Sequence, residues 1–257
     1  MNVLKRYARA AVDLLLPRCC VVCGRKLNVD ETHLCLYCLA DIPLTRFWMQ
    51  NHNPMADRFN AVLQKGLEKA WEEQDFPLDE HERYAYAAAL FFYNSEAGYR
   101  HIPYDIKYQY NIKAGRYFGN TLGRKLMEAD WFKDVDMVIP VPLHWRRRWS
   151  RGYNQAEVIA GQVAEALGVS MRTDILQRTR STETQTKLSV AEKAANVSGA
   201  FEAAASAASG NSVRHILLID DVFTTGATLS ACFTALRSVF PPSIRISVAT
   251  LAYVGGP

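Results

Sequence analysis

The run Arg214-His-Ile-Leu-Leu-Ile-Asp-Asp-Val-Phe-Thr-Thr-Gly-Ala-Thr-Leu229 limits the possible folds more than any other part of this sequence. Ile216 to Ile219 has the length and β-branched content of a strand buried on both faces in a parallel sheet. Asp220 and Asp221 stand where that strand is expected to end. Thr224, Thr225, Gly226, Ala227 and Thr228 then lead into a stretch with helical character that runs to about Val239. The free N–H groups of a helix start can hold a phosphate, threonine hydroxyls add donors, and glycine lets the backbone approach closely. Two carboxylates just ahead of such a cradle suit a polyol or a metal ion better than the phosphate itself. The combination describes a sugar phosphate site. A plain reading is a core strand with a solvated acidic end. A nucleotide-hydrolase strand would also place acids after an apolar run, but the chain has no G-x-x-x-x-G-K-[ST] loop to accompany it.

The remaining pattern alternates strands and helices. Tyr84–Tyr93, Val135–Val141 and Ser243–Tyr253 read as strands, and 111–129 and Asn154–Leu167 as helices. This argues for an α/β fold with a mostly parallel sheet. The 257 residues allow one good-sized domain and a smaller module, with expected boundaries at 1–50, 51–83 (a polar bridge) and 84–257. A net charge of +4 is too weak over this length to imply nucleic-acid binding by itself. Residues 2–16 read as an amphipathic helix stopped by Pro17; Asp13 interrupts the apolar run, so no signal peptide is expected. No stretch reaches the roughly 18 apolar residues of a membrane span. A cytoplasmic protein is the expectation.

Cys20-x2-Cys23 and Cys35-x2-Cys38 are two knuckle pairs separated by eleven residues. Each pair supplies two ligands from a tight turn, and four thiolates make a closed tetrahedral zinc site with a structural role. Disulfides fit poorly with a chain lacking an export signal. Cys19 could replace Cys20 only by giving up the two-residue spacing, and His33 reads as a surface residue rather than a ligand.

Pro140-Val-Pro-Leu-His-Trp-Arg-Arg-Arg-Trp-Ser-Arg-Gly-Tyr-Asn-Gln155 is a basic loop with four arginines within six residues. If the strand before it is central, this loop opens at the same carboxyl edge as Asp220, where open α/β sheets bind ligands. Arginines suit a diphosphate through paired hydrogen bonds. Interleaved Trp145, Trp149 and Tyr153 equally suit stacking against a single-stranded nucleic acid, so the loop alone leaves diphosphate and polynucleotide open. The polar stretch 178–201 reads either as a lid or as a plain surface loop.

Asp-Asp-x-x-Thr-Thr-Gly-x-Thr after four apolar residues resembles the 5-phosphoribosyl-1-diphosphate (PRPP) motif of type I phosphoribosyltransferases. Together with the cysteine module, Pro-Val-Pro-Leu-x4-Arg-x2-Ser-Arg-Gly-Tyr-Asn-Gln, the Arg-x-Thr…Gln-x2-Leu-Ser…Asn-Val-x-Gly-Ala-Phe stretch and the Lys107-Tyr108 pair, it resembles the ComF family of competence-associated proteins. The resemblance implies an N-terminal zinc ribbon followed by a phosphoribosyltransferase-like sheet flanked by helices. It implies that Asp220 and Asp221 hold the ribose hydroxyls and residues 224–228 the 5′-phosphate. Arg147, Arg151 and Lys107 would face the diphosphate, which Mg²⁺ accompanies. It also implies a role in DNA uptake with a helicase-like competence protein as partner, while the basic loop adds single-stranded DNA as a candidate ligand. The bridge around Gly66–Glu80 and the Ala/Ser link at 203–212 depart from the family pattern.

Overall fold

Strand β6 (His215–Phe223) forms the middle of a five-stranded parallel sheet of order β1-β7-β6-β2-β3. Its partners are β7 (Arg245–Val254) on one side and β2 (Met137–Pro140) on the other; β1 (Ala87–Tyr93) and β3 (Ser170–Met171) close the two edges. The computed structural model describes residues 12–13, 15–74, 82–94, 96, 98–180, 199–204 and 213–256. The expected N-terminal helix, most of the expected lid and the Ala/Ser link fall largely outside these residues. A separate antiparallel pair, β4 (Leu176–Arg178) and β5 (Phe201–Ala203), stands where the 178–201 stretch leaves and rejoins the domain.

Alternation along β6 supplies both cores. Ile216 and Leu218 pack on one face with Phe59, Leu229 and Phe233, while Leu217 and Ile219 pack on the other with Phe118, Leu122 and Ile159. The first face is covered by α2 (Pro54–Gln74) and α7 (Ala227–Arg237), and the second by α3 (His101–Tyr108), α4 (Ile112–Leu126) and α6 (Gln155–Leu167). Burial of this run on both faces is what a central parallel strand requires. The sheet and its flanking helices agree with the α/β expectation.

Two elements differ from their sequence reading. The polar bridge contains helix α2, which starts with strong local signals: the Asn53 side chain accepts from the N–H groups of Met55 and Ala56, and Pro54 occupies the first turn. Met55, Phe59 and Leu63 recur every four residues and are buried. The basic loop folds as a short helix, α5 (Trp145–Arg151). Its start is capped by His144, whose Nδ1 accepts from the Arg146 N–H, and it ends at Gly152 in the left-handed region.

The cysteine segment shares the second core. Cys20, Leu27, Leu34, Cys35 and Trp48 belong to the same apolar cluster as Leu90, Phe91 and Ile102. The buried Thr45 hydroxyl donates to the Ala89 carbonyl of β1, and the short helix α1 (Leu36–Ala40) follows directly from Cys35.

Helices α4 and α6 meet almost backbone to backbone. A Cβ at Gly119 would lie 2.8 Å from the carbonyl oxygen of Ile159, and one at Gly123 would lie 2.7 Å from Ala166 Cβ. This contact fixes α6, whose first turn carries site residues. Alanine at Gly119 gains about 1 kcal/mol of helix propensity but forces the helices apart at a cost of about 1–3 kcal/mol. Urea unfolding should therefore show Gly119→Ala less stable than the parent by about 1 kcal/mol, the net of those terms. Gly66→Ala in α2, where nothing lies within 4 Å, should be neutral or stabilising.

Candidate functional site

At the carboxyl edge of the sheet a cavity of about 520 Å³ opens between α3, α5, the end of β6 and the start of α7. It is bounded by Lys107 and Tyr108, by Arg146, Arg147 and Arg151, by Arg178, and by Asp220, Asp221 and Thr228. The strand reaches further than its apolar run: pairing with β7 continues through Asp220↔Thr250 to Phe223↔Tyr253. The two acids are thus held within a paired strand, and the pleat sends them to opposite faces.

Asp221 follows Leu217 and Ile219 to the α3 side. There its Oδ2 lies 2.6 Å from Lys107 Nζ, with the carboxylate only 4% exposed. Burial works to lower the Lys107 ammonium, but Asp221 and then Asp220 more than offset this and raise it above its usual value, so it stays charged. Asp220 follows Ile216 and Leu218 to the α7 side and accepts the Asp221 backbone N–H at 2.8 Å. Burial, followed by the charge of Asp221, pushes its carboxyl up to about 8 against the pull of Lys107. An acid pair in which one carboxyl is raised is a ready seat for incoming positive charge, which would displace the proton. This donor set therefore fits a Mg²⁺ ion brought in with a phosphate ligand.

Helix α7 begins at the cavity. Gly226 caps it at φ +82°, where an added Cβ would also lie 3.0 Å from the Phe223 ring. The turn itself therefore demands glycine, apart from any approach of a ligand. Thr225 Oγ1 accepts from the Ala227 N–H at 3.4 Å, Thr224 is exposed beside it, and Thr228 reaches the cavity. The remaining N–H groups of this first turn, with the threonine hydroxyls, could hold an anion beside Asp220.

The opposite wall is basic because of helical spacing. Arg147 and Arg151, one turn apart on α5, face the cavity, and Arg146 joins them from its rim. Arg151 Nη1 donates to Gln155 Oε1 at 2.5 Å, and its guanidinium lies over the Tyr108 ring at 5.2 Å. Arg148 points away and pairs with Glu157 at 3.0 Å. Trp145 and Trp149, also one turn apart, are 65% and 85% exposed outside the cavity. Asn154 caps α6 by accepting from the Ala156 N–H and donates to the Val141 carbonyl at 3.0 Å, which locks the basic helix to the end of β2. Arg178 enters from the β4–β5 pair, a wall that the sequence reading assigned no site residue. Burial, then the charge of Arg147, lowers its guanidinium from the usual value, while Asp220 works the other way.

A second cluster lies in the cysteine segment. The sulfurs of Cys20, Cys23, Cys35 and Cys38 all lie within 4.8 Å of one another, and Cys23 Sγ and Cys35 Sγ are 3.7 Å apart. Tetrahedral Zn–S bonds of about 2.3 Å place sulfurs about 3.8 Å apart, so the set fits a zinc ion closely. Burial works to raise the Cys20 thiol, yet the N–H groups of Cys23, Cys35 and Val22 directed at it bring it down to about 7. Cys19 is exposed outside the cluster, and the His33 ring packs on Tyr117 of α4.

Asp134, His215 and Ser247 form a hydrogen-bonded row at the opposite, amino edge of the sheet, with His215 Nδ1 2.7 Å from Asp134 and Nε2 2.8 Å from Ser247 Oγ. His215 and Ser247 are fully buried, and Ser247 Oγ also accepts the Tyr86 N–H. No substrate reaches this serine; the row ties β6, β7 and the turn before β2 together. Among the described residues no helix is long and apolar enough to cross a membrane.

Residues 154–255, from the cap of α6 through β7, match the model of the phosphoribosyl transferase domain family. The chain is, more particularly, a homologue of proteins named for DNA handling. It is 36% identical to Competence protein F of Haemophilus influenzae over 111 residues, 43% of this chain and 48% of that protein. It is 34% identical to DNA utilization protein YhgH of Escherichia coli (strain K12) over 95 residues, 37% of this chain and 40% of that protein. The chain thus spans half or less of the length of the curated relatives it matches.

The raised Asp220 carboxyl has a consequence for stability. An unfolded aspartate ionises near pH 3.9, whereas the folded one keeps its proton up to about 8. Its contribution is therefore fully present below about pH 4 and is lost as pH rises through 8. Asp220→Asn, which is neutral throughout, should raise the melting temperature of the ligand-free protein at pH 8.5 and have little effect near pH 4. A gap that does not widen with pH would show that Asp220 is ionised in the empty site.

Proposed function

We propose that the cavity binds PRPP with Mg²⁺ and that the protein transfers its phosphoribosyl group to an acceptor, releasing diphosphate. The observation that carries this reading is the facing of two walls across one cavity: an acid pair beside the anion cradle of α7, and the arginines of α5. A ligand with a phosphate at one end, hydroxyls in the middle and a diphosphate at the other matches that order. The first turn of α7, from Thr225 to Thr228, takes the 5′-phosphate, and Asp220 and Asp221 accept hydrogen bonds from the ribose 2′- and 3′-hydroxyls. Arg147 and Arg151, with Lys107 within reach, neutralise the diphosphate.

The bond from C1 to the diphosphate oxygen breaks with its electron pair going to the leaving group, and the acceptor's lone pair forms the new bond to C1. Carboxylates below the ring stabilise the positive charge that develops there, and fixed guanidinium groups stabilise the departing anion. Asp220 and Asp221 would hold Mg²⁺ brought in with the ligand, and the ion would supply further charge neutralisation for the departing diphosphate. The four cysteines hold a structural zinc ion.

The relatives' names, one for competence and one for DNA utilization, support placing this activity in DNA utilization; a cytoplasmic setting and a helicase-like competence partner complete the proposal. A second reading is a PRPP-sensing adaptor that binds single-stranded DNA without turnover. The exposed Trp145 and Trp149, next to Arg146, favour it, because bases stack on such faces beside cations.

Incubation with Mg·PRPP and a panel of purines, pyrimidines, other amines and single-stranded DNA, followed by assay of released diphosphate, separates the two. One acceptor should raise release well above hydrolysis, and Asp221→Asn should remove the increase. Background release with every acceptor, together with DNA binding that weakens in Trp149→Ala, would favour the adaptor.

A further inference from the structure

The cysteine cluster and the cavity stand at the two ends of α3. The helix is entered through Gly98 and Tyr99, and the knuckle fixes both. A Cβ at Gly98 would lie 2.8 Å from the Val22 carbonyl oxygen, so this backbone rests directly on the first cysteine turn. The Tyr99 ring is 7% exposed, and its hydroxyl donates to the carbonyl of Cys38 at 3.0 Å, with Asp41 Oδ2 beyond at 3.3 Å. Cys38 is one of the four sulfur donors. Along the helix, Ile102 and Ile106 are fully buried in the cluster that holds Cys20 and Cys35. At the far end Lys107 Nζ meets Asp221, and the Tyr153 hydroxyl from the loop after α5 donates to the Ile106 carbonyl.

Two turns of helix transmit displacement as a rigid body, over about 12 Å at 1.5 Å per residue. We propose that α3 couples the metal state of the four-cysteine cluster to the cavity. With a zinc ion on the sulfurs, the Cys38 turn is fixed, Tyr99 seats the helix, and Lys107 stands in register with the acids. With the ion removed, the turn loses the bonds that define it, and Lys107 is released from that register. Tyr99 is a positioning residue, acting through α3 on Lys107. Linkage is reciprocal, so a ligand that needs Lys107 seated must strengthen zinc binding by the same factor by which zinc strengthens ligand binding. The proposal rests on the PRPP reading of the cavity.

The test uses the full chain loaded with zinc. Zinc affinity is measured by competition with a chromogenic chelator, with and without saturating Mg·PRPP and with correction for zinc held by PRPP itself. Binding of Mg·PRPP is followed in parallel by calorimetry. Bound PRPP should raise zinc affinity about fivefold or more, the low end of typical couplings between sites. Tyr99→Phe keeps the ring and removes the hydroxyl. It should retain zinc and the parent circular dichroism, weaken PRPP binding several-fold and lose most of the PRPP effect on zinc. Calorimetry with no PRPP binding to the parent would overturn the cavity reading and this coupling with it. PRPP binding with zinc affinity unchanged would overturn the coupling alone. Tyr99→Phe matching the parent in both measurements would overturn the route through α3.

Discussion

Strand β6 is buried on both faces up to its last residues, and the strict alternation of its side chains governs the site. The alternation that puts Leu217 and Ile219 on one core and Ile216 and Leu218 on the other carries on into Asp221 and Asp220. A single carboxylate at the strand end would belong to one layer. Two in succession reach both, so one meets Lys107 from α3 and the other lies beside the start of α7. A slip of one residue would move each acid to the other face and break the Lys107–Asp221 pair. The parallel pairing with β2 and β7 specifies this register.

The charges of the cavity are arranged rather than merely abundant. Lys107 is matched to Asp221, Asp220 is kept protonated, and Arg148 is drawn off to Glu157. Cations line two walls of the cavity, Arg147 and Arg151 from α5 and Arg178 from the β4–β5 pair. Burial, and after it the like charge of Arg147, lowers the Arg178 guanidinium from its usual value. An anion held between these arginines would offset that like charge.

Much of this was legible in the residues because the signals are local. The apolar run, the acid pair and the threonine-glycine turn are contiguous, and the C-x2-C spacing carries its own geometry; the four sulfurs do converge. The helix beginning at Pro54 was legible in principle from Asn53, Pro54 and the Met55, Phe59, Leu63 spacing, but surrounding polar residues obscured it. The division of labour among the arginines needed the knowledge that 145–151 is helical, since only then do Arg147 and Arg151 share a face that Arg148 does not. The Lys107–Asp221 pair and the entry of Arg178 depend on contacts between elements far apart in the chain. No local pattern encodes them, and a lone arginine at the start of a polar stretch looks like any surface residue.

The central claim is that acids, cradle and arginines are parts of one PRPP site. The most direct measurement is a crystal structure of the protein soaked with Mg·PRPP. The account predicts the 5′-phosphate on the backbone N–H groups between Thr225 and Thr228, ribose hydroxyls on Asp220 and Asp221, and the diphosphate against Arg147 and Arg151. Density confined to the arginines of α5, with the 224–228 turn and both acids bare at saturating ligand, would contradict it.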